Sequence, residues 1–251
     1  MEATITMEQV TMIDIHCHLL FNIDDGSKSI EESISILKSL KELGYSDIII
    51  TPHYIKDSKY NSSKKNNTKL LNKIKELLEK ENIKINIYLG NEIYIDDDII
   101  GLLNKNEISS LNDSVYLLIE LPMSGEYENY VEIFSDLINN NKKVILAHPE
   151  RYLSFQEDFN KIYELESIGV LFQSNIESII GKYGRGAKKM IKKLLKNKKI
   201  SFLATDIHHI KHDYDDYNKA FKKILKYISE DELNRLIIKN PKKVLENKKI
   251  K

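Results

Sequence analysis

Short apolar runs bounded by turn residues alternate along the chain with stretches in which apolar residues recur every three or four positions. These are the patterns of buried strands and amphipathic helices. The first strand run is Met12 to His16. Residues 29–43 follow, with Ile30, Ile34, Leu37 and Leu40 at helical spacing behind a Ser29-x-x-Glu32 capping box, and Gly44 closing the helix. Asp47 to Thr51 reads as a buried strand ending at Pro52-His53, and residues 57–67 as a polar loop before a helix over 68–81. Further strands are predicted at 84–90, 115–121, 143–147, 170–173 and 201–205. Helices are predicted near 97–105, 127–141, 157–168, 187–198, 215–228 and 230–239, ahead of a Lys-rich tail read as frayed. Seven strands separated by helices predict an α/β domain with a parallel sheet.

What stands at the strand ends narrows the fold. Side chains alternate along a strand, so His16 and His18 share one face and Cys17 takes the other. His53, Glu92, Glu120, His148, Asp206 and His208 also fall just past strand ends, so six of the seven ends carry a metal-binding residue type. An open doubly wound sheet would gather such groups only near its switch point. Ligands around nearly every strand favour a closed β/α barrel, whose sites lie at the carboxyl ends of the strands. Five of the seven histidines occupy these ends. Imidazoles and carboxylates converging on one rim repel or lose solvation without cations between them, and mixed nitrogen and oxygen donors suit Zn, Mn or Fe. Several ions sharing carboxylates point to hydrolysis of a phosphate ester. Arg151, three residues after His148, stands on the same rim and offers phosphate two parallel hydrogen bonds.

Composition removes other classes. Lys+Arg and Asp+Glu both number 38, so no overall basic field recruits nucleic acid. No apolar run approaches the roughly 18 residues of a membrane span, so no membrane insertion is expected. The single cysteine allows no internal disulfide, in keeping with the cytoplasm. A cysteine-nucleophile phosphatase needs Cys-x5-Arg, and the residue at that offset from Cys17 is Ile23. Residues 1–11 read as an N-terminal extension or tag, and 12–251 as a single domain. The apolar face of 29–43 serves either a homo-oligomer contact or packing on the barrel.

IDIHCH followed by DDG, then TPH, NEI, IELP, AHPERY and a final Asp-x-His together resemble the polymerase and histidinol phosphatase (PHP) superfamily. Within it the chain is most similar to the bacterial manganese-dependent protein-tyrosine phosphatases encoded with capsule and exopolysaccharide genes. The resemblance runs from Met12 to about His208. It implies a distorted (β/α)7 TIM-like barrel, a three-metal cluster of Mn²⁺ with Fe or Zn as alternatives, and removal of phosphate from the tyrosine-rich tail of a cognate bacterial tyrosine kinase. Carried over by motif, His16 and His18 bind one ion with Asp206, Glu92 bridges to a second, and Glu120 and His148 belong to that second ion. Asp25, His53 and His208 hold the third, with Asp24 the alternative to Asp25. Arg151 matches the phosphate-binding arginine, and Asp25 and His208 are expected to join it in catalysis. The family's second arginine, a few residues after Asp-x-His, has no counterpart here; Lys211, His209, His212 and Arg185 are the candidates to replace it. A small-molecule phosphatase of the histidinol-phosphate type and a non-catalytic module binding kinase tails are the competing readings.

Overall fold

A computed structural model of the chain describes residues 11–124, 127–210 and 214–250. Of the extension expected at 1–11, all but Thr11 lies outside the described residues. The chain runs through β1 (Met12–Asp14), α1 (Ile30–Glu42), β2 (Tyr45–Ile50), β3 (His53–Tyr54), α2 (Lys64–Lys80), β4 (Asn86–Leu89) and β5 (Glu92–Tyr94). Then come α3 (Ile99–Asn104), β6 (Tyr116–Glu120), α4 (Val131–Asn139), β7 (Lys143–Ala147), α5 (Leu153–Glu157), α6 (Asn160–Ser167) and β8 (Leu171–Asn175). The last elements are α7 (Gly184–Lys196), β9 (Phe202–Ala204), α8 (Asp215–Ile224), α9 (Glu230–Asn234) and α10 (Asn240–Leu245). The seven predicted strands are all present, two of them broken, β2 into β3 and β4 into β5.

Every strand pairing is parallel, in the orders β1-β2-β4 and β3-β5-β6-β7-β8-β9. The two breaks fall side by side. Pro52 has no N–H to give a ladder, and its carbonyl instead accepts from the Glu92 amide and from Asn91 Nδ2. On the neighbouring strand Gly90 passes so close to Leu111 that a Cβ would come within 2.7 Å of Leu111 Cδ2. The ring closes just past β9, where Cys17 and Ile207 form a parallel bridge. There the Asp206 amide donates to His16 O and the His18 amide to Ile207 O. The fully buried Asp14 staples the same seam, accepting from the Thr205 amide at 3.1 Å and from its hydroxyl at 2.5 Å. The result is the expected distorted (β/α)7 barrel.

Strands covered on both faces are apolar on both faces. Ile13, Ile15, Ile49, Leu118, Ile145 and Phe202 pack into one cluster, while Leu37, Ile74, Phe134, Ile162 and Ile191 belong to a second that joins helices to strands. The expectations failed at two ends. Helix α2 starts at Lys64 rather than 68, because Ser63 caps it by accepting from the Asn66 amide and the polar run behind it faces solvent. The tail is not frayed. Asn240 to Leu245 is helical and continues from a π-helical turn at Arg235–Lys239, the local widening that accommodates Pro241, which has no N–H to give. Beyond it Asn247 Oδ1 accepts from the Val115 amide, and Tyr116 Oη donates to Lys248 O at 2.7 Å and accepts from the Ile250 amide at 3.0 Å. Tyr116→Phe removes both bonds and leaves the half-buried Ile250 amide unpaired, so it is expected to cost about 1–2 kcal/mol in urea unfolding. A loss within error would mean that the tail contributes nothing.

Candidate metal centre

Glu92, the first residue of β5, is the meeting point of four imidazoles. Its Oε2 lies 3.3 Å from Nε2 of both His16 and His18 and 3.0 Å from Nδ1 of His53, while its Oε1 lies 2.9 Å from Nε2 of His148. Asp206 Oδ1 is 3.3 Å from His16 Nε2 and 3.5 Å from His18 Nε2. Glu120 is 3.6 Å from both His53 Nδ1 and His148 Nε2. Asp25 Oδ1 stands 3.5 Å from Nε2 of His53 and of His208. All nine expected ligands are therefore brought together. Three sets have their donor atoms within 4.8 Å of one another: His16, His18 and Asp206; His53, Glu92 and Glu120; and His18, Asp25, His53 and His208. His53 thus stands between the second and third sets. Cys17, between the two first histidines, is fully buried with Sγ 3.6 Å from Ile49 O, and burial pushes its thiol pKa up, so it is no nucleophile.

A layer of polar residues behind the rim fixes which imidazole nitrogen faces inward. His16 Nδ1 is 2.8 Å from Gln173 Oε1, Gln173 Nε2 donates to Asn175 Oδ1, and Asn175 Nδ2 donates to Asp206 Oδ2 at 2.6 Å. His18 Nδ1 is 2.9 Å from Asp24 Oδ2, and His208 Nδ1 is 3.0 Å from Asp206 O. Each of these acceptors takes a hydrogen bond from Nδ1–H and leaves Nε2 pointing inward. The Nε2 atoms of His16 and His18 then face each other at 3.2 Å among carboxylates, a position that a proton or a metal ion fills. Among the described residues Glu92 Oε2, His53 Nδ1 and His148 Nδ1 are buried without a hydrogen-bond partner. This donor set fits metal ions.

The two adjacent aspartates are separated by their surroundings. Asp24 is buried and spent, accepting from His18, from the His53 amide at 3.0 Å and from the Gly26 amide at 2.9 Å. Those bonds outweigh its burial and hold its carboxyl at about 2. Asp25 is half exposed and faces the imidazoles. Gly26 is required because a Cβ there would fall 2.2 Å from His18 O. His148 and Asp206 sit at φ 34° and φ 51°, left-handed conformations that side chains other than glycine adopt at a cost. Gln173 and Asn175 were missed by sequence reasoning. The available signal was two polar residues, two apart, ending the one strand that carries no ligand.

The charges are balanced by protons. Burial disfavours the His16 cation, but Glu92 and Asp206 outweigh it and raise the pKa to about 9. Burial, and then the Glu92 charge, raise Glu120 to about 9 as well. Glu92 itself stays well below the usual carboxylate range, the imidazoles overcoming its burial. Burial, and then His18, push His208 down to about 4.

Beside the rim lies a cleft of about 470 Å³ bordered by Asp25, Arg151, Lys182, Tyr183, Asp206 and His208. Arg151 spends Nη1 on Asp206 Oδ2 at 3.2 Å, and its guanidinium lies 4.7 Å from the centre of the Tyr183 ring. Lys182 Nζ is anchored 2.8 Å from the buried Glu177 Oε2. Of the candidates for the missing arginine, His209 borders the cleft, Arg185 is exposed and does not, and Lys211 and His212 lie outside the described residues. Lys182 was not foreseen. On the far side the loop after β3 brings the Tyr60 ring to 6.1 Å from that of His53.

Residues 12–246 match the model of the capsular polysaccharide synthesis CpsB/CapC family. The chain belongs to this family. CapC of Staphylococcus aureus is 35% identical over 242 residues, spanning 95% of this chain and 93% of that protein. The tyrosine-protein phosphatase YwqE of Bacillus subtilis is 32% identical over 200 residues, 80% of this chain and 78% of YwqE. A solved structure from work on YwqE of Bacillus subtilis and CpsB of Streptococcus pneumoniae, described as metal-dependent tyrosine phosphatases, superposes with a TM-score of 0.88 at 29% identity, covering 96% of each chain. A histidinol phosphate phosphatase of Lactococcus lactis shares the fold, at TM-score 0.60, 18% identity and 86% and 94% coverage. Among the described residues of this CpsB/CapC family member no helix is long and apolar enough to cross a membrane.

The proton balance yields a pH test. His16, ordinarily 6.5 and here about 9, stabilises the metal-free fold fully below 6.5 and loses that contribution as pH rises through 9. Glu120, ordinarily 4.5 and here about 9, acts in the same direction. In chelator, thermal unfolding is therefore expected at lower temperature at pH 9 than at 6.5. Saturating Mn²⁺ should abolish that difference by replacing the protons. Parallel profiles with and without metal would count against the rim as a metal site.

Proposed function

We propose that the chain is a metal-dependent protein-tyrosine phosphatase acting on a cognate bacterial tyrosine kinase that controls capsular or exopolysaccharide synthesis. In this reading residues 12–251 work as one domain in the cytoplasm. The observation that carries it is the convergence of nine nitrogen and oxygen donors on one rim beside a cleft that holds Arg151 and Lys182. Its family membership and the names of its relatives support the choice of substrate.

His16, His18 and Asp206 would hold one ion, Glu92, Glu120 and His148 a second, and Asp25, His53 and His208 a third. Imidazole with carboxylate suits Mn²⁺, with Fe or Zn the alternatives. Bound divalent ions supply Lewis-acid activation of water and neutralise phosphoryl charge.

The chain's own groups position the substrate. Arg151 has guanidinium N–H groups left for two phosphate oxygens after its single bond to Asp206. Lys182, held by Glu177, supplies the second positive charge that the family's other arginine would give, as a point charge without the fork. Tyr183 covers one face of the Arg151 guanidinium and keeps water from it. Asp25 and His208 border the cleft directly, so they contact substrate as well as ion. Gln173, Asn175 and Asp24 keep the imidazoles turned inward.

Purified protein with Mn²⁺ is expected to hydrolyse p-nitrophenyl phosphate and phosphotyrosine peptides, and to lose the activity in EDTA. His148→Ala should lower kcat by about 10- to 100-fold or more, with a matching loss in metal content by elemental analysis. Well-folded, metal-loaded protein without turnover would sink the reading. Arg151→Lys keeps the charge but not the fork, so KM should rise about tenfold with metal content unchanged. Lys182→Ala should raise KM by a smaller factor, about three- to tenfold. An unchanged KM in Lys182→Ala would return the second phosphate contact to another residue.

A further inference from the structure

On the other side of the 3-10 turn Ile176–Ile180, helices α7 and α8 enclose a second concavity of about 220 Å³. Its border is Ile179, Lys188, Lys192, Lys223, Lys226 and Tyr227. Four lysines therefore border a space of about seven water volumes, with Lys192 Nζ 6.0 Å from the centre of the Tyr227 ring. Lys188 and Lys192 are half-buried, and no carboxylate of the described residues pairs with Lys188, Lys192, Lys223 or Lys226. Lys188 Nζ reaches only the carbonyl of Ile180, at 3.4 Å. Of the acids flanking these lysines in sequence, Asp215 and Asp216 pair with Lys219, Asp231 with Lys239 and Glu232 with Arg235. Because the chain as a whole has zero net charge, this groove is a local excess of positive charge. Four like charges around one cavity, two half-buried and two exposed, form a positive patch that complements an anionic segment.

We propose that the lysine groove between α7 and α8 docks an acidic segment of the same phosphoprotein whose phosphotyrosine enters the cleft. The inference rests on the phosphatase reading above. Its geometry follows from shared scaffolding: Ile179 borders the groove and Lys182 borders the cleft, so their Cα atoms are at most about 11 Å apart. An extended peptide covers that span in about three to four residues. Aspartates or glutamates beginning some three to six positions from the phosphotyrosine would reach the lysines while the phosphate faces Arg151. The groove thus acts through KM and leaves the reacting centre alone.

The test compares two phosphotyrosine peptides on Mn²⁺-loaded protein, one with an acidic run at that spacing and one with neutral residues there. The acidic peptide should show a KM lower by about tenfold, with equal kcat, and the advantage should shrink as salt is raised toward 0.5 M. Lys192→Glu/Lys223→Glu should erase the advantage while hydrolysis of p-nitrophenyl phosphate is unchanged. Lys223→Ala/Lys226→Ala, confined to exposed positions at and just past the end of α8, serves where the first variant folds poorly and should erase most of it. Equal KM values for the two peptides in the wild type would overturn the proposal, as would an advantage that survives both variants. Binding of vesicles containing anionic lipid, lost in the variants while the acidic peptide gains nothing, would overturn it in favour of a membrane surface. Fluorescence anisotropy of a labelled acidic peptide lacking phosphate reads the groove even if no phosphotyrosine is hydrolysed, so the two readings fail separately.

Discussion

A carboxylate surrounded by four imidazoles in a dry interior is the constraint from which the rest of the structure follows. Glu92 is almost wholly buried, and buried charge survives only when it is paired and hydrogen-bonded. Its partners come from three separate places: the end of β1, the start of β3 and the end of β7. A ring of parallel strands is an economical way to aim them at one point, since every strand delivers its carboxyl end to the same rim. The breaks beside Pro52 and Gly90 belong to this design. They restart two strands so that His53 and Glu92 are each the first residue of a new segment and pair with each other in register.

The barrel and eight of the nine donors were legible in the sequence because both are repetitive signals. Apolar runs of strand length recur with helical stretches between them, and a donor stands after nearly every run. Other features depended on contacts that no local pattern carries. Asp24 and Asp25 are identical in local context until the turn at Gly26 folds one under His18 and leaves the other at the surface. Lys182 reads as one more lysine in a lysine-rich chain until Glu177 pins it at the cleft. The helical propensity of residues 64–67 is weak, and only the Ser63 cap and the burial of Asn67 explain why the helix begins there. The tail looked like solvent-exposed charge because its partner, Tyr116, lies more than a hundred residues earlier.

Positive charge in this molecule is organised by what anchors it. Arg151 is held by a rim aspartate and covered by an aromatic ring, and Lys182 is held by a buried glutamate. Both are fixed before any ligand arrives, which lowers the entropy lost on binding a phosphate. Lys188, Lys192, Lys223 and Lys226 pair with no carboxylate of the described residues, and they form a field where the cleft forms a clamp.

The seam between β1 and the segment after β9 has a consequence for how the protein is made. Asp14 meets Thr205, and His16 meets Asp206, across some 190 positions of chain. During synthesis β1 waits with an open edge until some 190 further residues have been translated, since only then does its second neighbour exist. Contacts of such long sequence separation form slowly. The donor rim is therefore among the last features to be completed, and metal can report on finished molecules alone.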